Sequence, residues 1–110
     1  MEEKPDKTNP DKIGAMAAAV ERSALRFVIH GRVQGVGYRS FAERAASLTG
    51  VSGWVRNRDD GTVEAVGYGT REQLDAFAGH LRTGPRWSEV RAVDVAECAP
   101  PGNRGFAVRY

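Results

Sequence analysis

The sequence is poor in the residues from which redox and metal chemistry is built. Its 110 residues include one cysteine and two histidines. The lone Cys98 excludes an internal disulfide and a thiolate cluster for zinc or iron–sulfur. His30 and His80 lie far apart and neither has a carboxylate at ligand spacing, so no metal and no other cofactor is expected. Lysine is absent after Lys4, Lys7 and Lys12, and every later basic residue is arginine. A GC-rich codon usage accounts for most of that bias. No apolar run approaches the roughly 20 residues of a membrane span, and the N-terminus lacks the charged-then-apolar layout of a secretory signal. A cytoplasmic protein that binds no membrane is expected. The formal charge of +2 is too small to argue for nucleic acid.

What is present suits one compact domain, long enough to bury a core without staples. Residues 1–22 read as a disordered tail, because MEEKPDKTNPDK mixes charges and prolines without apolar periodicity and cannot offset its own ordering entropy. Within it, Ala15 to Arg22 has the composition of a short helical turn, and Met16 offers an alternative start. Residues 23–110 form the domain. Leu25, Phe27 and Ile29 alternate with Arg26, Val28 and His30, the period of a half-buried strand. The irregular run Gly31-Arg32-Val33-Gln34-Gly35-Val36-Gly37 follows. From Tyr38 the period becomes helical, with Phe41, Ala42, Ala45 and Leu48 as the buried stripe and Gly50 as the stop.

Val51 to Arg56 and Thr62 to Gly69 read as two strands of a hairpin turned by Asp60-Gly61. Thr70 and Gln73 have the spacing of a capping box. They open a second helix with Leu74, Phe77, Ala78 and Leu81 inward and Gly84-Pro85 at its end. Val90 to Glu97 is a fourth strand, with Val93 and Val95 on one face, and Phe106 to Tyr110 a short fifth at the edge. Each helix has one apolar stripe, so both must cover one face of an antiparallel sheet. The order strand-helix-strand-strand-helix-strand predicts an α+β ferredoxin-like sandwich. That fold hosts many functions, and the site must decide among them.

Gly31, Gly35 and Gly37 punctuate the turn from first strand to first helix, where glycine lets the backbone approach a ligand. Amides from Gln34 through Gly35, Val36, Gly37 and Tyr38 to Arg39 can converge as an anion nest, and the helix N-terminus adds donors and positive potential. Arg39 lies in the first helical turn, from which its planar fork can hold two phosphate oxygens at once. Arg32, Arg56 and Arg58 add to the positive field of loops expected to converge. The run is not a Walker loop, which needs Gly-Lys-Ser/Thr, nor a dinucleotide fingerprint, since Ser40 stands in place of the third glycine. Asn57 ends the second strand. Alone it reads as a turn former. Paired beside the first strand, it comes to the mouth of the glycine loop, where its amide can hold a water.

GRVQGVGYR at 31–39, GWVRN at 53–57 and DGTVEAVGYG at 60–69 together closely resemble the acylphosphatase family. The resemblance runs from Leu25 to Tyr110 and departs at Tyr38, where the family often has phenylalanine. It implies hydrolysis of the carboxyl-phosphate bond of small acyl phosphates, without metal, to a carboxylate and inorganic phosphate. It further implies that Arg39 and the amides of Gln34 to Arg39 bind the phosphoryl group and that Asn57 orients the attacking water. A monomer is expected.

The remaining polar residues have plainer readings. His30 and His80 read as solvated strand and helix residues, Trp54 and Trp87 as packing, Cys98 as a passive thiol, and Asp59 and Asp60 as turn formers. Two readings rival hydrolysis. One is a non-catalytic anion-binding regulatory domain, against which the short chain and intact Arg39 and Asn57 argue. The other is an RNA-binding module, which needs an aromatic-rich third strand where Val63 to Gly69 offers only Tyr68.

Overall fold

A computed structural model of the chain describes residues 21–110. The tail expected over residues 1–22, with its helical turn and alternative start, lies almost wholly outside the described residues. The elements follow the expected order with boundaries within about two residues of those read from periodicity. They are β1 (Ser23–Arg32), α1 (Tyr38–Thr49), β2 (Ser52–Asn57), β3 (Val63–Gly69), α2 (Arg71–Thr83), β4 (Glu89–Cys98) and β5 (Phe106–Arg109).

The five strands form one sheet in the order β4-β1-β3-β2-β5. The expected β2–β3 hairpin forms, with Asn57 opposite Val63, while β1 lies between β3 and β4, so β2 is not a direct neighbour of the first strand. The sheet is also mixed rather than purely antiparallel. β5 runs parallel to β2, from Gly53 opposite Phe106 to Arg56 opposite Arg109. The direction follows from the link: residues 99–105 are too few to cross the sheet and also run back along β4, so β5 starts at the end where β4 stops and runs alongside β2.

Both helices pack on one face. Phe27 and Ile29 of β1, Val55 of β2 and Val63 and Ala65 of β3 meet Ala42, Ala45 and Ala46 of α1 and Leu74, Phe77, Ala78 and Leu81 of α2 in a single buried cluster. Phe77 sits edge-on between Phe27 and Phe106, each 5.7 Å away centre to centre. The alanine stripe of α1 lets the helix sit close to the sheet. Leu48, expected inward, is 78 % exposed. It lies about 120° round the helix from the stripe's centre. Phe41, at a similar angle, is half-buried because its ring reaches Tyr38 and His80.

On the opposite face, Glu64 near the start of β3 is buried between Arg26 of β1 and Arg56 of β2. Burial alone would raise its carboxyl; the hydrogen bonds from the two guanidinium groups outweigh that and hold it below the ordinary range. Among the described residues no helix is long and apolar enough to cross a membrane.

Candidate active site

β1 ends in a bulge between His30 and Gly31, where its register against β4 shifts. The chain then turns through Val33, which is buried, and reaches α1 by way of Gly35 and Gly37. Both glycines have positive φ, +74° and +80°, and nothing lies within 4 Å of where a side chain would start. The conformation, not crowding, therefore calls for glycine here, and the ground in front of the loop is open.

Gly37 is the N-cap of α1, in the left-handed region, with no side-chain cap and no acidic residue in the first turn. None of the amides from Gln34 to Arg39 donates a hydrogen bond to another described residue. α2 is the contrast. Its N-terminus is closed by Thr70 and Gln73 in a complete capping box, with Glu72 in the first turn. One helix of the pair is internally satisfied at its positive end, and the other presents free donors to the space beyond it.

That space is a pocket of about 130 Å³ lined by Val33, Gly35, Gly37, Tyr38, Arg39, Ser40, Asn57 and Tyr110. Arg39 extends from the first turn of α1. Its Nη1 donates to the Arg109 carbonyl at 3.2 Å, and its guanidinium lies 4.4 Å over the Tyr110 ring. No carboxylate among the described residues pairs with it, whereas Arg56 is bound to Glu64 at 2.7 Å and Arg58 lies 3.7 Å from Asp60. The positive charge left at the pocket is thus that of Arg39 with the loop amides. Asn57 reaches the same pocket from the end of β2, and its side-chain amide makes no hydrogen bond to another described residue. The hairpin brings it there because β3, its partner, is the direct neighbour of β1.

Of the residues singled out from the sequence, Gly35, Gly37, Tyr38, Arg39 and Asn57 meet at the pocket. Two loop residues do not line it. Val36 packs against the core, and the Gln34 side chain turns to the β2–β3 hairpin, donating to the carbonyls of Arg58 and Thr62. Val33, Ser40 and Tyr110 line it without having been singled out. Val33 and Ser40 flank the glycines in sequence, but Tyr110 carries no local signal, since only the parallel pairing of β5 brings it near. His30 stands apart, bonded to Asp94 at 2.9 Å on the open face of the sheet. Among the described residues, no group of three or more His, Cys, Asp or Glu side chains could hold a metal ion.

The acylphosphatase family model matches residues 25–108. The chain belongs to the acylphosphatase family. It is 45 % identical to the acylphosphatase of Solibacter usitatus over 93 residues, covering 84 % of this chain and 97 % of that one. The crystal structure of acylphosphatase from Bacillus subtilis superposes with a TM-score of 0.77 at 35 % identity, covering 82 % of this chain and all of that one. Full-length HypF, in a phosphate- and nucleotide-bound form, shares the fold at a TM-score of 0.74 and 22 % identity. There the match covers 83 % of this chain but only 12 % of HypF.

Tyr38 does more than supply aromatic packing. Its hydroxyl is buried and donates to the Leu81 carbonyl at 2.6 Å, tying the start of α1 to the last turn of α2. Burial pushes its pKa above the ordinary tyrosine value, so it remains a donor. Tyr38→Phe should leave a buried carbonyl without that donor and cost about 1–2 kcal/mol of stability. Urea denaturation checks it; an unchanged midpoint would show the bond contributes nothing net.

Proposed function

We infer that this protein hydrolyses acyl phosphates, with the phosphoryl group seated in the pocket between the glycine loop and Asn57. The observation that carries the reading is the uncapped α1 N-terminus, whose free amides share one pocket with an arginine lacking any carboxylate partner among the described residues. Phosphoryl transfer calls for positioning and charge stabilisation more than for covalent chemistry by the protein. The amides of Gln34 to Arg39 hold the non-bridging oxygens, and Arg39 neutralises charge as it spreads over them. Asn57 accepts from and donates to the attacking water, fixing its approach in line with the bond to be broken. The water oxygen bonds to phosphorus, the bond to the acyl oxygen breaks, and the carboxylate leaves with the electron pair.

A carboxylate is a good leaving group, so no general acid is required. The water's proton passes to a phosphate oxygen of the substrate itself. Arg39 and the amides supply the positive charge, so turnover is metal-independent in this reading. We place the protein in the cytoplasm as a monomer acting on small, diffusible substrates.

The test is phosphate release from a simple acyl phosphate with chelator present. Wild type should turn over. Asn57→Ala should lower kcat by about 10²-fold while KM stays within about threefold, since the water loses its guide but the phosphate keeps its donors. A wild-type protein that releases no phosphate would overturn the reading.

A further inference from the structure

The two halves of the site come from different segments: the phosphate loop from the end of β1, and Asn57 from the end of β2. The side chain of Gln34 joins them. Its Nε2 donates to the Arg58 carbonyl at 2.7 Å and to the Thr62 carbonyl at 2.9 Å. These carbonyls belong to the two ends of the hairpin turn. Arg58 N–H already donates to the Thr62 carbonyl at 2.9 Å, and Gly61 N–H to the Arg58 carbonyl at 3.2 Å. The second acceptor position of each carbonyl is thus taken by one amide group from the glycine loop. Asp60 stiffens the same turn by accepting from the Thr62 backbone at 3.0 Å and from its hydroxyl at 2.6 Å.

Asn57 immediately precedes Arg58, and its own side chain has no partner among the described residues to fix it. Its place opposite the loop therefore depends on where the hairpin turn is held. We propose that the Gln34 side chain is a positioning residue that locks the turn carrying Asn57 to the phosphate loop, so that water and phosphoryl group are held in one rigid frame. The inference rests on the acyl phosphate reading above and extends it to a residue whose side chain does not line the pocket.

The chemistry suits glutamine. Two neighbouring carbonyl oxygens require two donors on one atom, without a charge to desolvate. Glutamate offers no donor when ionised, asparagine is one methylene short, and methionine keeps the shape without the bonds. Gln34→Met should lower kcat by about 10- to 100-fold, the order expected for misplacing a reacting group, with KM and competition by inorganic phosphate within about threefold. In the Asn57→Ala background the same change should lower kcat by less than about threefold, because the group it positions is gone.

Gln34→Glu sets a carboxylate against the two carbonyls and regains one donor only when protonated. Its kcat should climb toward wild type as pH falls, relative to the wild-type profile, and this variant serves if Gln34→Met does not fold. Equal loss of kcat in both backgrounds would overturn the inference, as would an unchanged kcat in Gln34→Met or a Gln34→Glu profile that tracks wild type. With wild type active, those results sink this inference alone; a wild type without turnover sinks it together with the reading on which it rests.

Discussion

Arg39→Ala should lower kcat/KM on an acyl phosphate by about 10²- to 10³-fold, equivalent to about 3–4 kcal/mol of transition-state stabilisation. The size follows from the division of labour at the pocket. The amides of the loop are fixed partial charges; Arg39 is the full positive charge there with no carboxylate partner among the described residues. Its fork is held from behind, by the Arg109 carbonyl at 3.2 Å and the Tyr110 ring at 4.4 Å. A guanidinium already oriented loses less freedom when it meets the phosphoryl oxygens. Arg39→Lys is the informative control. It keeps the charge but not the two parallel donors or the stacking, and should recover only part of the loss. Neither variant should change the urea midpoint greatly, because the side chain lies at the surface of the first helical turn. Steady-state phosphate release alongside denaturation separates the effects. Arg39→Ala with wild-type kcat/KM would remove Arg39 from the mechanism.

Gly31→Ala should damage folding more than any other single change in the loop. Gly31 sits at φ +127°, and an added Cβ would stand 2.1 Å from the Glu89 carbonyl oxygen and 2.9 Å from the Arg91 amide nitrogen. Both are backbone atoms of β4, which cannot rotate away as a side chain would. The bulge that aims the chain out of the sheet and into the glycine loop lies at this residue. We expect a loss of about 3–5 kcal/mol, from strain and a forced shift of the strand pair together. For a domain of this size that lowers the melting temperature by about 15–30 °C. Gly37→Ala provides the scale: φ is also positive there, but no atom lies within 4 Å, so the cost is only the left-handed conformation, about 1–2 kcal/mol. Thermal melts of the two variants should differ clearly, and equal shifts would show that β4 gives way at little cost.

The secondary structure was legible in the chain because it follows local rules. Phe27 and Ile29 are fully buried as their alternation requires, and Thr70 and Gln73 close their capping box as their spacing requires. Strand pairing was less legible, because neighbours in a sheet are chosen by the whole packing. The β2–β3 hairpin was announced by Asp60-Gly61, but the place of β1 between β3 and β4, and the parallel run of β5 beside β2, could not be read from any one strand's residues. Asn57 still comes to the loop, though by way of β3 rather than by pairing with β1. For the site, the glycine pattern pointed to an anion, while roles for Arg39 and Asn57 came from family resemblance. The Gln34 bridge and the seat of Arg39 against Tyr110 were not readable at all. Each depends on where a side chain points across a contact with no counterpart in local sequence.

The position of Cys98 gives the protein a ready spectroscopic handle. It pairs with Ala24 at the beginning of β1, whereas the phosphate loop leaves from the end of that strand at Arg32. Along an extended strand that separation is on the order of 25 Å. Burial pushes the thiol's pKa up, so conjugation needs alkaline conditions or long incubation. A fluorophore or spin label attached there occupies a unique site, remote from the pocket, and reports on the chain without touching the groups that meet the substrate.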